Sequence, residues 1–355
     1  MKKDHVSLPF ARYLACVVGI FVSLPFFILI LQLPQTPITL TGSLYLLGGV
    51  VIVISLIAAP LLGRRSLALA TLGATLILVT VTLRVVSPPL GTHVTLITLP
   101  DQSGPRWLNR IFDEQDIVLF GARIGGYLGL VTRTESEGLV PAFIATQNKM
   151  AGATALSPFL LTYLNQQSPT AFDAVVAEPS DGAKPKLGII FLHGYGGNFT
   201  LQCWLVSHAG ERVGALTVCP STGPLGAWWT PQGQAILKQT LTYLQGRGIQ
   251  QIYLAGLSNG GIGASHLASR FESELAGLIL ISGADPNATI TKLPVLVLQG
   301  EDDERIPASL SERYVAATGG NATYLSLPGD HFVMLKQADE LQDAIAEWIG
   351  KQATD

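Results

Sequence analysis

The chain has 355 residues, enough for one or two domains, and is 48% hydrophobic but only 13% charged. Its formal net charge is −3 and no basic cluster stands out, which sets aside a nucleic-acid role. It has no internal repeat, no low-complexity tract and no His/Cys/Glu group at metal-ligand spacing, so neither a metal nor a cofactor is implied.

Apolarity is concentrated at the start. Tyr13 to Gly63 contains no Asp, Glu, Lys or Arg; Arg64 and Arg65 interrupt, and Ser66 to Leu83 is again uncharged. A helix needs about 20 apolar residues to cross a bilayer. Three segments qualify, at about 13–33, 43–62 and 66–86, separated by Pro34-Gln35-Thr36-Pro37 and by Arg64-Arg65. A cleaved signal peptide would have a shorter apolar stretch and would not be followed by two more. Core helices of a soluble domain would carry a polar face, and these carry almost none. Residues 1–86 therefore read as a multi-span membrane region whose partner is the lipid bilayer. Pro25 is expected to kink the first span, which a membrane helix tolerates. Lys2, Lys3 and Arg12 precede span one, and Arg64 and Arg65 lie between spans two and three. Positive charge marks the cytoplasmic side, so everything after Arg84 is expected outside, with Arg84 itself counting against that arrangement.

Residues 87–171 read as a partly helical connecting segment. Ser87-Pro88-Pro89 and Leu99 to Pro105 look like loops, while Trp107–Leu119, Glu137–Asn148 and Ser157–Gln166 look helical. The segment is too apolar for a free linker. It either covers a core or packs over the mouth of the following domain.

From Phe172 to the end, short apolar runs alternate with helical patterns. Strands are expected near 172–178, 187–193, 215–219, 252–257, 275–282, 294–299 and 322–327. Helices are expected near 199–211, 231–246, 260–271, 309–317 and 335–350. This alternation predicts an α/β domain with a doubly wound, mostly parallel sheet. Several of the strands end in chemistry-bearing turns. Leu187–Leu192 leads into His193-Gly194-Tyr195-Gly196-Gly197. Ile252–Leu257 leads into Ser258 within Gly256-Leu257-Ser258-Asn259-Gly260. Pro294–Gln299 leads into Gly300-Glu301-Asp302-Asp303-Glu304-Arg305-Ile306-Pro307, and Ala322–Leu327 into Pro328-Gly329-Asp330-His331-Phe332. A serine on a sharp strand-to-helix turn has its hydroxyl pushed out at the carboxyl end of the sheet.

A serine, an acid and a histidine in that order, each after a strand, resemble the α/β-hydrolase superfamily over about residues 172–352. The nearest likeness is to small lidless esterases and dienelactone-hydrolase-like members, with Ser258 where true dienelactone hydrolases have cysteine. The resemblance implies a serine hydrolase, most simply one that cleaves a small or lipid-like carboxylic ester through an acyl-enzyme. Ser258 would be the nucleophile and His331 its base. His193 is the rival base, but its place before Gly194 suits the family's oxyanion loop. The acid is Asp303 when Gly300 and Pro307 are aligned with the family's G-x-x-D-x-x-V-P turn; Asp302 and Asp285 are alternatives. Backbone amides of Tyr195 and Asn259 would form the oxyanion hole, with Gly194 or Gly196 as substitutes for Tyr195. Trp228 and Trp229 are candidates for a substrate pocket, against the ordinary alternative of packing on loops. Amide hydrolysis on the same triad, or a catalytically silent binding domain, are the competing readings. Cys203 and Cys219 both fall near the carboxyl edge of the sheet, where either a disulfide or two unpaired thiols is feasible.

Overall fold

The computed structural model describes residues 7–32, 37–88, 91, 93–127, 129, 131–152, 156–180 and 182–353. Lys2, Lys3, His5, Pro89 and the turn residues 34–36 lie outside them. The chain divides into two units, one formed by the residues up to Pro88 with Arg110–Ile124, the other by Pro89–Asn109 with Gly125–Asp355.

The first unit contains helices α1 (Ser7–Gln32), α2 (Leu40–Ile57), α3 (Ala59–Leu62) and α4 (Arg64–Val86), and most of α5 (Glu114–Tyr127). Three of these, over Pro9–Ile28, Leu40–Ile57 and Arg64–Val86, are long and apolar enough to cross a membrane. The second expected span is shorter than the sequence suggests. Pro60, at the start of α3, has no N–H to continue the ladder, so α2 ends at Ile57 and a separate turn follows. The backbones of α2 and α4 touch at two glycines: a Cβ on Gly73 would lie 2.6 Å from the Gly48 carbonyl oxygen. Such close approach lets apolar helices associate by packing alone.

The polar groups of this unit gather at one end. Arg84, in the last turn of α4, pairs with Asp113 at 2.8 Å and donates from Nε to the Arg110 carbonyl at 3.0 Å. A cation there also complements the partial negative charge of the helix end. Thr39, which caps α2, donates from its amide (2.9 Å) and its hydroxyl (2.6 Å) to Asp116. Burial pushes the Asp116 carboxyl above its ordinary value despite those two bonds.

The second unit is built on an eight-stranded sheet: β1 (Val94–Leu99), β2 (Phe172–Ala177), β3 (Leu187–Leu192), β4 (Ala215–Pro220), β5 (Gln251–Leu257), β6 (Gly277–Ile281), β7 (Val295–Gly300) and β8 (Ala322–Leu327). Their order is β1-β2-β4-β3-β5-β6-β7-β8. β1, β2 and β4 pair antiparallel; all other pairs are parallel. This is the α/β-hydrolase architecture expected from the sequence, and all seven expected strands are present within two residues. β1 is additional. Val94-Thr95-Leu96-Ile97-Thr98-Leu99 consists wholly of β-branched and apolar residues, a strand signal that the neighbouring Pro100 obscures.

The sheet is apolar on both faces because both are covered. Ile189 and Phe191 of β3 pack into one layer with Trp204, Ile345 and Trp348. Ile190 and Leu192 pack into the other with Ile236, Leu241, Ala264 and Tyr314. The covering helices are α8 (Thr200–Arg212) and α13 (Ala338–Ala353) on the first face, and α9 (Pro231–Gly246), α10 (Asn259–Ala268) and α11 (Ala308–Ala317) on the second. Of the segment 125–171, α6 (Arg133–Met150) and the short α7 (Phe159–Tyr163) belong to this unit, as does the one-turn α12 (Val333–Lys336) after β8. Trp107–Arg110 is a single 3-10 turn, so the helix expected from Trp107 begins only at Glu114.

Cys203 of α8 and Cys219 of β4 form a disulfide, with their Cα atoms 5.9 Å apart. It closes a short loop between a helix and the strand beneath it. In the chain-entropy account such a loop is worth about 3 kcal/mol. The double variant Cys203→Ser/Cys219→Ser should therefore unfold at lower denaturant, with a loss of about 2–4 kcal/mol. Equal midpoints in a urea titration of the two proteins would contradict this.

Candidate active site

Five loops at the carboxyl edge of the sheet converge on Ser258. Between β5 and α10 the chain reverses in one residue, and Ser258 takes φ 56° and ψ −121°. An L residue resists that conformation, at a cost of about 1–3 kcal/mol. It persists because the surroundings leave no alternative. A Cβ on Gly260 would lie 2.0 Å from the Leu192 carbonyl oxygen, and one on Gly283 would lie 2.4 Å from that of Ser258. The turn is thus wedged between the ends of β3 and β6, with the Ser258 amide donating to the Ile281 carbonyl at 2.9 Å.

His331 stands 2.9 Å from the Ser258 hydroxyl through Nε2, and 2.8 Å from Asp303 Oδ2 through Nδ1. All three side chains are nearly buried. The carboxylate leaves Nδ1 as the protonated nitrogen, so Nε2 is free to accept the serine proton. Asp303 is itself fully engaged. Its Oδ1 accepts the amides of Arg305 (3.0 Å) and Ile306 (2.9 Å), and its Oδ2 also accepts Gln299 Nε2 at 2.9 Å. Asp302 is exposed, and its amide donates to the Gly329 carbonyl at 2.9 Å, tying the acid loop to the histidine loop. Asp285 instead pairs with His266 at 2.8 Å, so the structure joins neither alternative acid to His331.

A further prop comes from the helix Arg133–Met150. Glu135 binds the Arg305 guanidinium through both oxygens, at 2.8 and 2.9 Å. Burial alone would raise the Glu135 carboxyl, but the hydrogen bonds from Arg305 and Thr132 overcome this and hold it down at about 2. Arg305 also lies over the Phe332 ring, 5.4 Å from its centroid. The residue whose amide holds Asp303 is thereby fixed at its side chain as well. Sequence reading did not find this pair, because 170 positions separate its members and Arg305 fills an unspecified position of the acid turn.

His193 is completely buried and its surroundings exclude it as a base. Its Nδ1–H donates to the Gly194 carbonyl at 2.9 Å, and its Nε2 accepts the Thr222 amide at 3.2 Å. Burial lowers its pKa to about 4, so the ring is neutral and joins the loop after β3 to the loop after β4. Gly194 packs directly on the serine: a Cβ there would lie 3.0 Å from Ser258 Cβ. The Tyr195 amide follows immediately, and the Asn259 amide opens α10, where a helix leaves its first N–H groups without internal acceptors. The Asn259 side chain donates to the Leu225 carbonyl at 2.8 Å. Trp228 does not fit the pocket reading. It is fully buried, donates from its indole N–H to the His193 carbonyl at 2.9 Å, and sits against Gly263 behind the loop. Only Trp229 presents surface.

The arrangement has a hydroxyl, an imidazole that can take its proton, and a carboxylate that fixes the imidazole. It is competent for nucleophilic acyl transfer. Among the described residues no group of His, Cys, Asp and Glu is placed to hold a metal ion.

No family model matches the chain, and neither does any curated protein. Many solved structures do. The esterase Est1E from Butyrivibrio proteoclasticus, determined with ferulic acid bound, is 16% identical over 52% of this chain and 96% of its own, with a TM-score of 0.45. A serine hydrolase without a lid from Xanthomonas campestris is 18% identical over 52% and 91%, with a TM-score of 0.44. A serine hydrolase homologue from Coxiella burnetii is 20% identical over 50% and 91%, with a TM-score of 0.42. Likeness at this level says nothing of what this chain acts on.

Asp303→Asn keeps the size of the side chain but disturbs the imidazole tautomer, so ester turnover should fall by about 10²–10⁴. Asp302→Asn should cost far less. Steady-state kinetics of the two purified variants check the ranking, and the reverse order would mean that the hydrogen bond seen here is not the working one.

Proposed function

We propose that this chain is a membrane-anchored serine hydrolase that cleaves a carboxylic ester through an acyl-enzyme. The observation that carries the reading is the hydrogen-bonded line from Ser258 through His331 to Asp303, at 2.9 and 2.8 Å. In the first step His331 Nε2 accepts the Ser258 proton as Oγ bonds to the ester carbonyl carbon. The carbonyl π electrons move onto oxygen, where the Tyr195 and Asn259 amides stabilise the charge. Collapse of this intermediate expels the alcohol, which takes the proton from His331. Water then repeats the sequence on the acyl-enzyme, with His331 as base, releasing the acid and restoring Ser258. Asp303 orients the imidazole and stabilises the imidazolium as it forms.

The apolar helices would hold the enzyme in a bilayer, with the catalytic unit on the extracytoplasmic side. Two independent features support that side. Arg12, Arg64 and Arg65, with Lys2 and Lys3, occupy the positions that positive charge takes in the cytoplasm. The Cys203–Cys219 disulfide suits an oxidising compartment. Arg84, which the charge rule alone counts against this side, is paired with Asp113 and need not act as a cytoplasmic marker.

Ser258→Ala should lose roughly 10⁴–10⁶ in ester turnover and all labelling by a fluorophosphonate, while its unfolding midpoint stays near that of the parent. Near-normal turnover in the purified variant would sink the assignment. Separately, a carboxyl-terminal alkaline phosphatase fusion, active only outside the cytoplasm, should be active in cells. An inactive phosphatase beside an active cytoplasmic reporter at the same position would reverse the topology.

A further inference from the structure

Among the described residues of the sheet-bearing unit, few large apolar side chains are left in water: Trp107, Tyr163, Leu164, Tyr195, Leu225, Trp229 and Leu325. Five of these are 41–72% exposed: Tyr195 on the loop after β3, Leu225 and Trp229 on the loop after β4, and Tyr163 and Leu164 at the end of the short helix Phe159–Tyr163, which packs on both loops. The loops are knitted together. Leu225 gives its carbonyl to Asn259, the residue after the serine. Tyr195 follows Gly194, which touches Ser258. A Cβ on Gly197 would lie 3.7 Å from the Tyr163 ring, and one on Gly223 would lie 3.0 Å from the Asn165 side chain, next to Leu164. Scattered exposed apolar residues need no explanation, but a group of them on neighbouring segments beside Ser258 does.

Charge sharpens the point. Leu156–Phe172, Leu187–Gly210 and Val213–Leu237, which supply these loops, contain no Asp, Glu, Lys or Arg. The other side of Ser258 is different: Glu301, Asp302, Asp303, Glu304 and Arg305 on the acid loop, and Asp330 beside His331. The mouth thus has an uncharged apolar flank and a charged one.

We infer that the flank formed by Tyr163, Leu164, Leu225 and Trp229 binds an uncharged, extended apolar substituent of the ester, an alkyl chain or an aryl group. This rests on Ser258 being the nucleophile, since continuity with Ser258 is what makes the flank part of a substrate site. A charged substituent placed there would lose hydration without gaining a partner.

The test uses the full-length chain in detergent with two soluble substrate series. One is p-nitrophenyl esters from acetate to decanoate; the other is acetate esters of alcohols of increasing length. For the parent, kcat/KM should rise with chain length in at least one series. In Tyr163→Ser/Leu225→Ser, and in Leu164→Ser alone should the double variant fold poorly, the ratio of long-chain to acetate kcat/KM should fall about tenfold. Labelling by a small fluorophosphonate reports whether Ser258 still reacts. A parent indifferent to chain length in both series would overturn the inference. So would an unchanged ratio in the variants, or a uniform loss across all lengths with labelling intact. A loss seen only for esters presented in phosphatidylcholine vesicles would also overturn it, in favour of bilayer docking by this flank. A parent with neither labelling nor turnover would defeat the hydrolase reading itself, and this inference with it.

Discussion

The site depends on one backbone constraint: Ser258 is forced to a positive φ by the close approach of two neighbouring strand ends. Relaxed to an ordinary conformation, the turn would carry the hydroxyl away from His331. The constraint explains why so many backbones meet at this point. Gly260 abuts the end of β3 and Gly283 abuts the serine from the end of β6, so neither position accommodates a Cβ without moving a strand. The local strain, about 1–3 kcal/mol, is small beside the burial of eight strands on two apolar layers, and that rigidity lets the strain persist.

Around this turn, the buried carboxylates are met by several donors each. Asp303 accepts two amides, a glutamine N–H and the histidine. Asp173, wholly buried on β2, receives Nε and Nη2 of Arg106 together with Asn109 and Gln167. A buried carboxylate without such donors would cost several kcal/mol or take up a proton. At Asp303 the same donors also fix the carboxylate where it meets the imidazole.

The parts of the site legible in the sequence are those encoded locally. A strand–turn–helix around Gly256-Leu257-Ser258-Asn259-Gly260 is a pattern of adjacent residues, and so is each strand ending in His193, Asp303 or His331. Register within the acid turn singled out Asp303, the carboxylate that meets His331. Contacts between distant segments were not legible. Trp228 beside Trp229 reads as a possible pocket wall, yet only the three-dimensional approach of Gly263 shows that it is buried behind the loop. The disulfide was undecided because spacing along the chain does not give a Cα separation. β1 was missed because it pairs with a strand some eighty residues away while its own flank, Pro100, looks like a loop.

The same distinction changes how the segment before β2 is understood. Read alone, its helices look like cover for a core. Glu135 lies on one of them, and its carboxylate, held at about 2, is ionised across the whole neutral range. It fixes the guanidinium of Arg305, whose amide holds Asp303 and whose side chain lies over Phe332, the neighbour of His331. Arg305 is partly exposed, so solvent screens this ion pair and its direct contribution to stability is modest. Geometry is a different matter. Two oxygens gripping a planar guanidinium restrict rotation of the whole side chain, and through it the acid loop from which Asp303 meets the imidazole. The helix is therefore better regarded as part of the scaffold that sets the acid–histidine distance than as filling.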